Sequence, residues 1–336
     1  MKNILVTGGA GFIGSNFINH ILSKHDDYNI VNLDKLTYAG NLENLIPSQD
    51  NKNYKFIHGD ITNTELVKFL FEKYELQYVI NFAAESHVDR SILSSREFIS
   101  TNVLGTNILL DVARIFNVKK FLQISTDEVY GSLGKDGLFT DETPLSPNSL
   151  YSSSKASADM LALSNFKTYG LPVIITRCSN NYGPYQFPEK LIPLMIINSL
   201  NDKNLPVYGD GKNIRDWIYV LDHCRAIEMV FESGTNGKVY NVGASTEMEN
   251  IEIIKLILKH LQKPESLIVY VKDRLGHDRR YAIDSSKIQN ELGWSPSYSF
   301  EDAIIKTIDW YISNKDWWNR IINGEYMEYY QKQYKI

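Results

Sequence analysis

The residues best equipped for chemistry lie between Ser125 and Lys155. Ser125-Thr126-Asp127-Glu128 carries hydroxyls and two adjacent carboxylates, and Tyr151-Ser152-Ser153-Ser154-Lys155 carries a phenol and an ammonium. Tyr151 and Lys155 are four residues apart, so on a helix they share a face. An ammonium beside a phenol stabilises the phenolate and lowers its pKa from about 10. A phenolate near neutrality takes a proton from a sugar or alcohol hydroxyl. The spacing alone says little, because Tyr-x-x-x-Lys pairs are frequent by chance. Asp127 and Glu128 are harder to place. Neighbours in an extended strand point to opposite faces, so they share a site only if the strand has ended and the backbone turns. In a water-poor pocket, paired carboxylates take different pKa values, one acid and one base. An arbitrary Asp-Glu pair is otherwise two solvated loop carboxylates.

The elements around this stretch give it context. Residues 3–7 are a short apolar run, which predicts a strand buried on both faces. Gly8-Gly9-Ala10-Gly11-Phe12-Ile13-Gly14 follows directly, and residues 12–23 show helical periodicity. In a strand–turn–helix unit, Gly8 permits the tight turn, Gly11 admits a pyrophosphate and Gly14 lets the helix pack close. The helix N-terminus then offers free N–H groups to the phosphates. A second strand at 28–33 ends at Asp34, twenty residues after Gly14. A carboxylate there binds ribose hydroxyls and repels a 2′-phosphate, which favours NAD over NADP, although Lys35 beside it weakens the argument.

Further strands are predicted at 54–61, 78–82, 120–125 and 171–177, with helices at 64–74, 96–116 and 150–166. The small residues Ala83 and Ala84 leave room for a flat cofactor at a strand end. Helix 96–116 has two apolar sides, one for the sheet and one for a partner or a thick core. The alternation predicts an α/β fold with a parallel, doubly wound sheet and ligands at the carboxyl ends of its strands. Residues 1–178 form the dinucleotide domain in this reading, with a segment near 218–247 returning to it through a strand at 239–243. After about residue 180 the pattern loosens, and residues 179–336 form a smaller, mostly C-terminal lobe.

With 336 residues there is length for a large core and more than one lobe. The net charge of −5 offers no basic surface for nucleic acid. No apolar run approaches the roughly 18 residues of a membrane helix. The N-terminal apolar stretch is too short, and too soon followed by glycines, for a signal peptide. Two cysteines, Cys178 and Cys224, make no disulfide framework, which points to a reducing cytoplasm. No metal site is expected.

The glycine turn with Tyr151-x-x-x-Lys155 resembles the extended short-chain dehydrogenase/reductases, with their Rossmann-type sheet. Longer runs resemble the dTDP-glucose 4,6-dehydratases among them. These runs include Leu33 to Asn41, Ala83 to Ser91, Ser125 to Gly131, Ser179 to Leu191, Tyr208 to Gly211, Arg215 to Trp217 and Gly276 to Tyr281. One departure is Leu275, where most members carry proline.

The resemblance implies an NAD-dependent hydro-lyase acting on a dTDP-hexose, commonly as a homodimer built through the helices near 96–116 and 150–166. Tyr151 takes the proton of the sugar's 4-hydroxyl while a hydride leaves carbon 4 for NAD. Glu128 then removes the carbon-5 proton, Asp127 protonates the departing 6-hydroxyl, and the hydride returns to carbon 6. Thr126 hydrogen-bonds the 4-oxygen, and Lys155 also holds the nicotinamide ribose. The product, dTDP-4-keto-6-deoxy-glucose, serves deoxysugar synthesis, usually that of rhamnose.

The cofactor residues implied are Gly8, Gly11, Phe12, Ile13, Gly14, Asp34, Lys35, Thr37, Asp60, Ile61, Ala83, Ala84, Ser86, Thr101, Tyr151, Lys155 and Asn181. Those implied for the substrate are Ser86, Thr126, Asn180, Lys190, Leu191, Pro206, Tyr208, Arg215, Asn250, Arg274 and His277. The rival readings are a nucleotide-sugar 4-epimerase, which needs Tyr151 and Lys155 but no acid–base pair, a 4,6-dehydratase of another nucleotide sugar, and a non-enzymatic dinucleotide sensor.

Overall fold

The computed structural model describes residues 1–273 and 276–322. Its frame is a seven-stranded sheet. Six of the strands are β1 (Lys2–Thr7), β2 (Tyr28–Asp34), β3 (Tyr54–His58), β4 (Tyr78–Asn81), β5 (Lys120–Thr126) and β6 (Val173–Cys178). The seventh, Val239–Val242, pairs with β6. Every pairing is parallel, and the order runs from Val239–Val242 through β6, β5, β4, β1 and β2 to β3. The chain winds one way from β1 to β3 and the other way from β4 onward. The point of reversal, between β1 and β4, is where such sheets open a crevice for ligands.

The sheet is apolar on both faces because both are covered. In β1, Ile4 and Val6 belong to one core and Leu5 to the other, as the alternation of a strand requires. Helices Phe12–Lys24 and Val220–Ser233 cover the first face. Helices Thr64–Lys73, Thr106–Ile115 and Leu150–Tyr169 cover the second. The helix expected at 96–116 is present but not uniform. A π-helical segment, Ile99–Gly105, lies between Arg96–Phe98 and Thr106–Ile115. Within it, Asn102 accepts from the Glu85 amide and donates to the Glu85 carbonyl and to Ser154 Oγ. π-Segments of this kind are frequent at functional sites.

Past residue 180 the chain is far more regular than its sequence suggests. Strands Asn180–Tyr182, Ile214–Tyr219 and Glu247–Glu249 form one small sheet, and Leu205–Tyr208 pairs with Ile268–Val271. Helices Leu191–Leu200, Asn250–His260 and Phe300–Ser313 pack with them around Tyr182, Met195, Trp217, Ile253 and Tyr311. Leu191–Leu200 is apolar almost all round, so it shows no stripe at helical spacing, and Pro193 is tolerated in its first turn. Among the described residues, no helix is long and apolar enough to cross a membrane.

Candidate active site

The backbone turns where the two carboxylates need it to. β5 ends at Thr126, and Asp127–Tyr130 forms a single 3-10 turn. Thr126 Oγ1 caps this turn by accepting from the Glu128 amide at 3.3 Å. Gly131 closes it with a φ of +90°, where a Cβ would stand 2.4 Å from the Ser146 carbonyl oxygen. Asp127 and Glu128 therefore line one cavity. Their environments differ sharply. Asp127 is 2% exposed. Burial first, then the charges of Glu128 and Asp216, push its carboxyl well above the usual range. Its Oδ2 is buried without a hydrogen-bond partner. Glu128 is only partly buried.

Helix Leu150–Tyr169 starts with a capping box. Ser149 Oγ accepts from the Ser152 amide and Ser152 Oγ from the Ser149 amide, each at 3.0 Å. This fixes Tyr151 and Lys155 in the first turns of the helix, both buried. The expected lowering of the Tyr151 phenol is not what the chain alone produces. Burial first, then the negative charge of Glu128, push it well above its ordinary value, against a hydrogen bond with Thr126. Lys155 directs its ammonium to the Ile124 carbonyl at 2.7 Å. Burial lowers the lysine's own pKa.

The cavity around these groups has a volume of about 290 Å³. Every residue expected to hold the cofactor lines it, from Gly8, Gly11, Phe12, Ile13 and Gly14, through Asp34, Lys35, Thr37, Asp60, Ile61, Ala83, Ala84, Ser86 and Thr101, to Tyr151, Lys155 and Asn181. The glycines fit a dinucleotide. Gly8 has φ +69°, and a Cβ there would meet the Ala83 backbone at 2.6 Å. A Cβ on Gly14 would meet the Gly8 carbonyl oxygen at 2.5 Å. On Gly11 it would approach only that same oxygen, at 3.3 Å, which leaves the turn open to a ligand. Helix Phe12–Lys24 has no side-chain cap and no acidic residue in its first turn, so its N–H groups suit a phosphate. Asp34 accepts from the Ala10 and Leu36 amides, each at 2.8 Å. Lys35 is held by Asp60 at 2.8 Å.

A second cavity of about 160 Å³ adjoins the first. Asn180, Lys190, Leu191, Pro206, Tyr208, Arg215, Asn250 and His277 line it, whereas Ser86 and Thr126 line the first; Arg274 lies outside the described residues. Glu128, Asn180, Asn181, Gln186, Glu189 and Lys190 line both. Arg215 donates to the Asp278 carbonyl at 2.9 Å and sits 4.4 Å from the centre of the Tyr281 ring. His277 Nδ1 lies 2.6 Å from Asp273 Oδ1. The Oδ1 atoms of Asn180 and Asn250 are buried without hydrogen-bond partners, as a site built for a polar ligand would leave them.

Glu189, Tyr281 and Asp216 are among the lining or neighbouring residues to which the sequence assigns no role. Glu189 pairs with Arg90 at 3.0 Å. Tyr281 lines the second cavity. Asp216, nearly fully buried, has its carboxyl pushed up to about 6, chiefly by burial. Each stands inside a run already singled out, beside Lys190, Arg280 or Arg215, and only tertiary contact distinguishes it.

The family described as GDP-mannose 4,6 dehydratase matches residues 5–307. A dTDP-glucose 4,6-dehydratase of Xanthomonas campestris pv. campestris (strain B100) is 51% identical over 97% of each chain. A dTDP-glucose 4,6-dehydratase of Bacillus anthracis str. Ames, solved in complex with NAD, superposes with a TM-score of 0.90 at 53% identity, covering 96% of this chain and 100% of that one. Its counterpart from Streptomyces venezuelae, solved with NAD bound, gives 0.92 at 46% identity, over 95% and 99%. Epimerases among the structural matches are more distant, at 30% identity or below. The chain belongs to the dTDP-glucose 4,6-dehydratase family.

Proposed function

We propose that this protein converts dTDP-glucose to dTDP-4-keto-6-deoxy-glucose and water, with NAD as a resident cofactor. One observation carries the reading. Asp127 and Glu128 leave the same turn into one site, the first buried with its carboxyl pushed upward by that burial, the second open at the seam of the two cavities. An epimerase has no use for such a pair.

Bound NAD supplies a hydride acceptor at carbon 4, a hydride donor at carbon 6, and a positive ring charge that favours the phenolate. The chain supplies the proton chemistry. Tyr151 accepts the proton of the 4-hydroxyl, and Thr126 hydrogen-bonds the 4-oxygen. The new ketone acidifies carbon 5, from which Glu128 takes the proton and to which it returns one when carbon 6 receives the hydride. Asp127 gives its proton to the departing 6-hydroxyl, which leaves as water. Gly8, Gly11 and Gly14 admit the pyrophosphate, Asp34 holds the adenosine ribose, and Lys155 the nicotinamide ribose. Lys190, Arg215 and Arg274 carry the charge for the nucleotide diphosphate, and Pro206, Tyr208, Asn250 and His277 surround the nucleoside.

In this assignment residues 1–178, with 218–247, serve the cofactor, and the rest of 179–336 serves the nucleotide sugar. The working form is a homodimer in the cytoplasm. Ile99, Leu104, Leu150 and Met160, on the helices expected at the interface, are each half-exposed or more, which supports the pairing. Two free, buried cysteines support the reducing compartment. The test is purified protein given dTDP-glucose without added reductant. The 4-keto-6-deoxy product is expected, and recovery of dTDP-galactose alone would contradict the proposal.

A further inference from the structure

The turn that carries Asp127 and Glu128 is anchored from behind by its own last residue. Tyr130 is 2% exposed and its ring stacks on Phe139 at 5.1 Å. Its hydroxyl donates to Asn241 Oδ1 at 2.8 Å and accepts from Arg177 Nη1 at 2.9 Å. Asn241 donates in turn to the Phe139 carbonyl at 3.0 Å. Arg177 donates through Nε to Asp159 at 2.8 Å, an ion pair with side chains 4% and 0% exposed. Asp159 sits one helical turn beyond Lys155, on the helix that carries Tyr151.

These contacts join the turn to two strands at one oxygen atom and, through Arg177, reach the helix. Asn241 belongs to the outer strand Val239–Val242, Arg177 to β6, and Asp159 to the catalytic helix. None of the four residues lines either cavity. A buried ion pair of this kind is poor evidence for stability, because its desolvation offsets its attraction. Its geometry has another use. The turn is only four residues long, and its backbone is fixed at one end by the Thr126 cap and at the other by Gly131. Tyr130 is its side-chain anchor into the sheet. The helix bearing Tyr151 has its own capping box and twenty residues of packing, so it does not depend on that anchor.

We infer that Tyr130 is a positioning residue for the elimination step, holding the acid–base turn against Asn241 and Arg177. The inference rests on the dehydratase reading and deepens it. Loss of the hydroxyl lets both carboxylates drift while Tyr151 stays in place. Oxidation at carbon 4 then proceeds and water loss lags.

The experiment compares wild-type holoenzyme with Tyr130→Phe, which keeps the ring on Phe139, using dTDP-glucose. The readouts are kcat, KM and the steady-state share of reduced cofactor, followed by absorbance. Wild-type turnover tests the dehydratase reading itself, so its failure is distinct from failure of this inference. In Tyr130→Phe, kcat is expected to fall roughly tenfold or more, on the scale of ångström misplacement at a reacting centre, with KM unchanged and reduced cofactor building up. Asn241→Ser removes the acceptor of the same hydroxyl, leaves Arg177 on Asp159, and is expected to give the same build-up. Wild-type kcat in both variants overturns the inference. So does a loss of activity without accumulated reduced cofactor, which would mean a general structural defect.

Discussion

The two cavities that meet at Glu128 are made of different materials. The first is shaped largely by backbone, in Gly8, Gly11, Gly14, Ala83 and Ala84, around the open end of one parallel sheet. The second is shaped by side chains that arrive separately, with Tyr208, Arg215, Asn250 and His277 drawn from different elements and loops. A site made of backbone depends on where side chains are missing, and a few ångströms of sequence-local geometry determine it. A site made of side chains depends on tertiary assembly. The Asp127–Glu128 turn belongs to the first, and Glu128 opens to both.

Tyr151→Phe leaves both cavities in place and removes the proton acceptor. Turnover should fall by roughly 10²–10⁴-fold, with no reduced cofactor after mixing with dTDP-glucose in stopped flow. Near-normal turnover would mean another base.

Gly14→Ala attacks the backbone cavity. Its Cβ would press on the Gly8 carbonyl oxygen at 2.5 Å and on the Gly9 Cα at 2.8 Å. Overpacking of this kind costs about 1–3 kcal/mol. The variant should melt lower and purify with less NAD, as cofactor content and thermal denaturation will show.

Arg215→Gln attacks the side-chain cavity. Loss of a charged hydrogen bond to a diphosphate should raise KM for dTDP-glucose about tenfold or more while NAD content stays the same. If NAD content fell as well, the two cavities would not be separable.

The smallest effect is on stability alone. Asp216 has its folded pKa raised to about 6 from an ordinary 3.8. The folded state therefore binds that proton more tightly than the unfolded one. Its contribution is complete below about pH 3.8 and is lost as pH rises through about 6. Asp216→Asn should flatten that part of the profile of urea midpoint against pH.

Legibility in the sequence followed the same division. The turn at Gly8, Gly11 and Gly14 and the strand end at Asp34 were readable because backbone constraints act over a few residues, and the strands they border have mostly apolar centres. That Asp127 and Glu128 line one cavity was readable only through resemblance. The turn depends on the Thr126 cap, the +90° φ of Gly131 and the close Ser146 carbonyl, and none of these leaves a periodic trace. At Tyr151, burial and Glu128 outweigh Lys155 in the chain alone, for a related reason. Helical spacing brings Lys155 to the same face, but its ammonium meets the Ile124 carbonyl, thirty-one residues earlier. The chain past residue 180 was misread as loose because Leu191–Leu200 is apolar on nearly every side. The residues proposed there to hold substrate were visible only through resemblance.

On the proposed mechanism, the Asp127–Glu128 turn makes a dehydratase of a hydride-transfer site. Glu128→Gln holoenzyme mixed with dTDP-glucose tests it most directly, with cofactor absorbance and product followed together. Reduced cofactor should accumulate while the 4-keto-6-deoxy product fails to form. Product formed at the wild-type rate, or no reduced cofactor at all, would contradict the account.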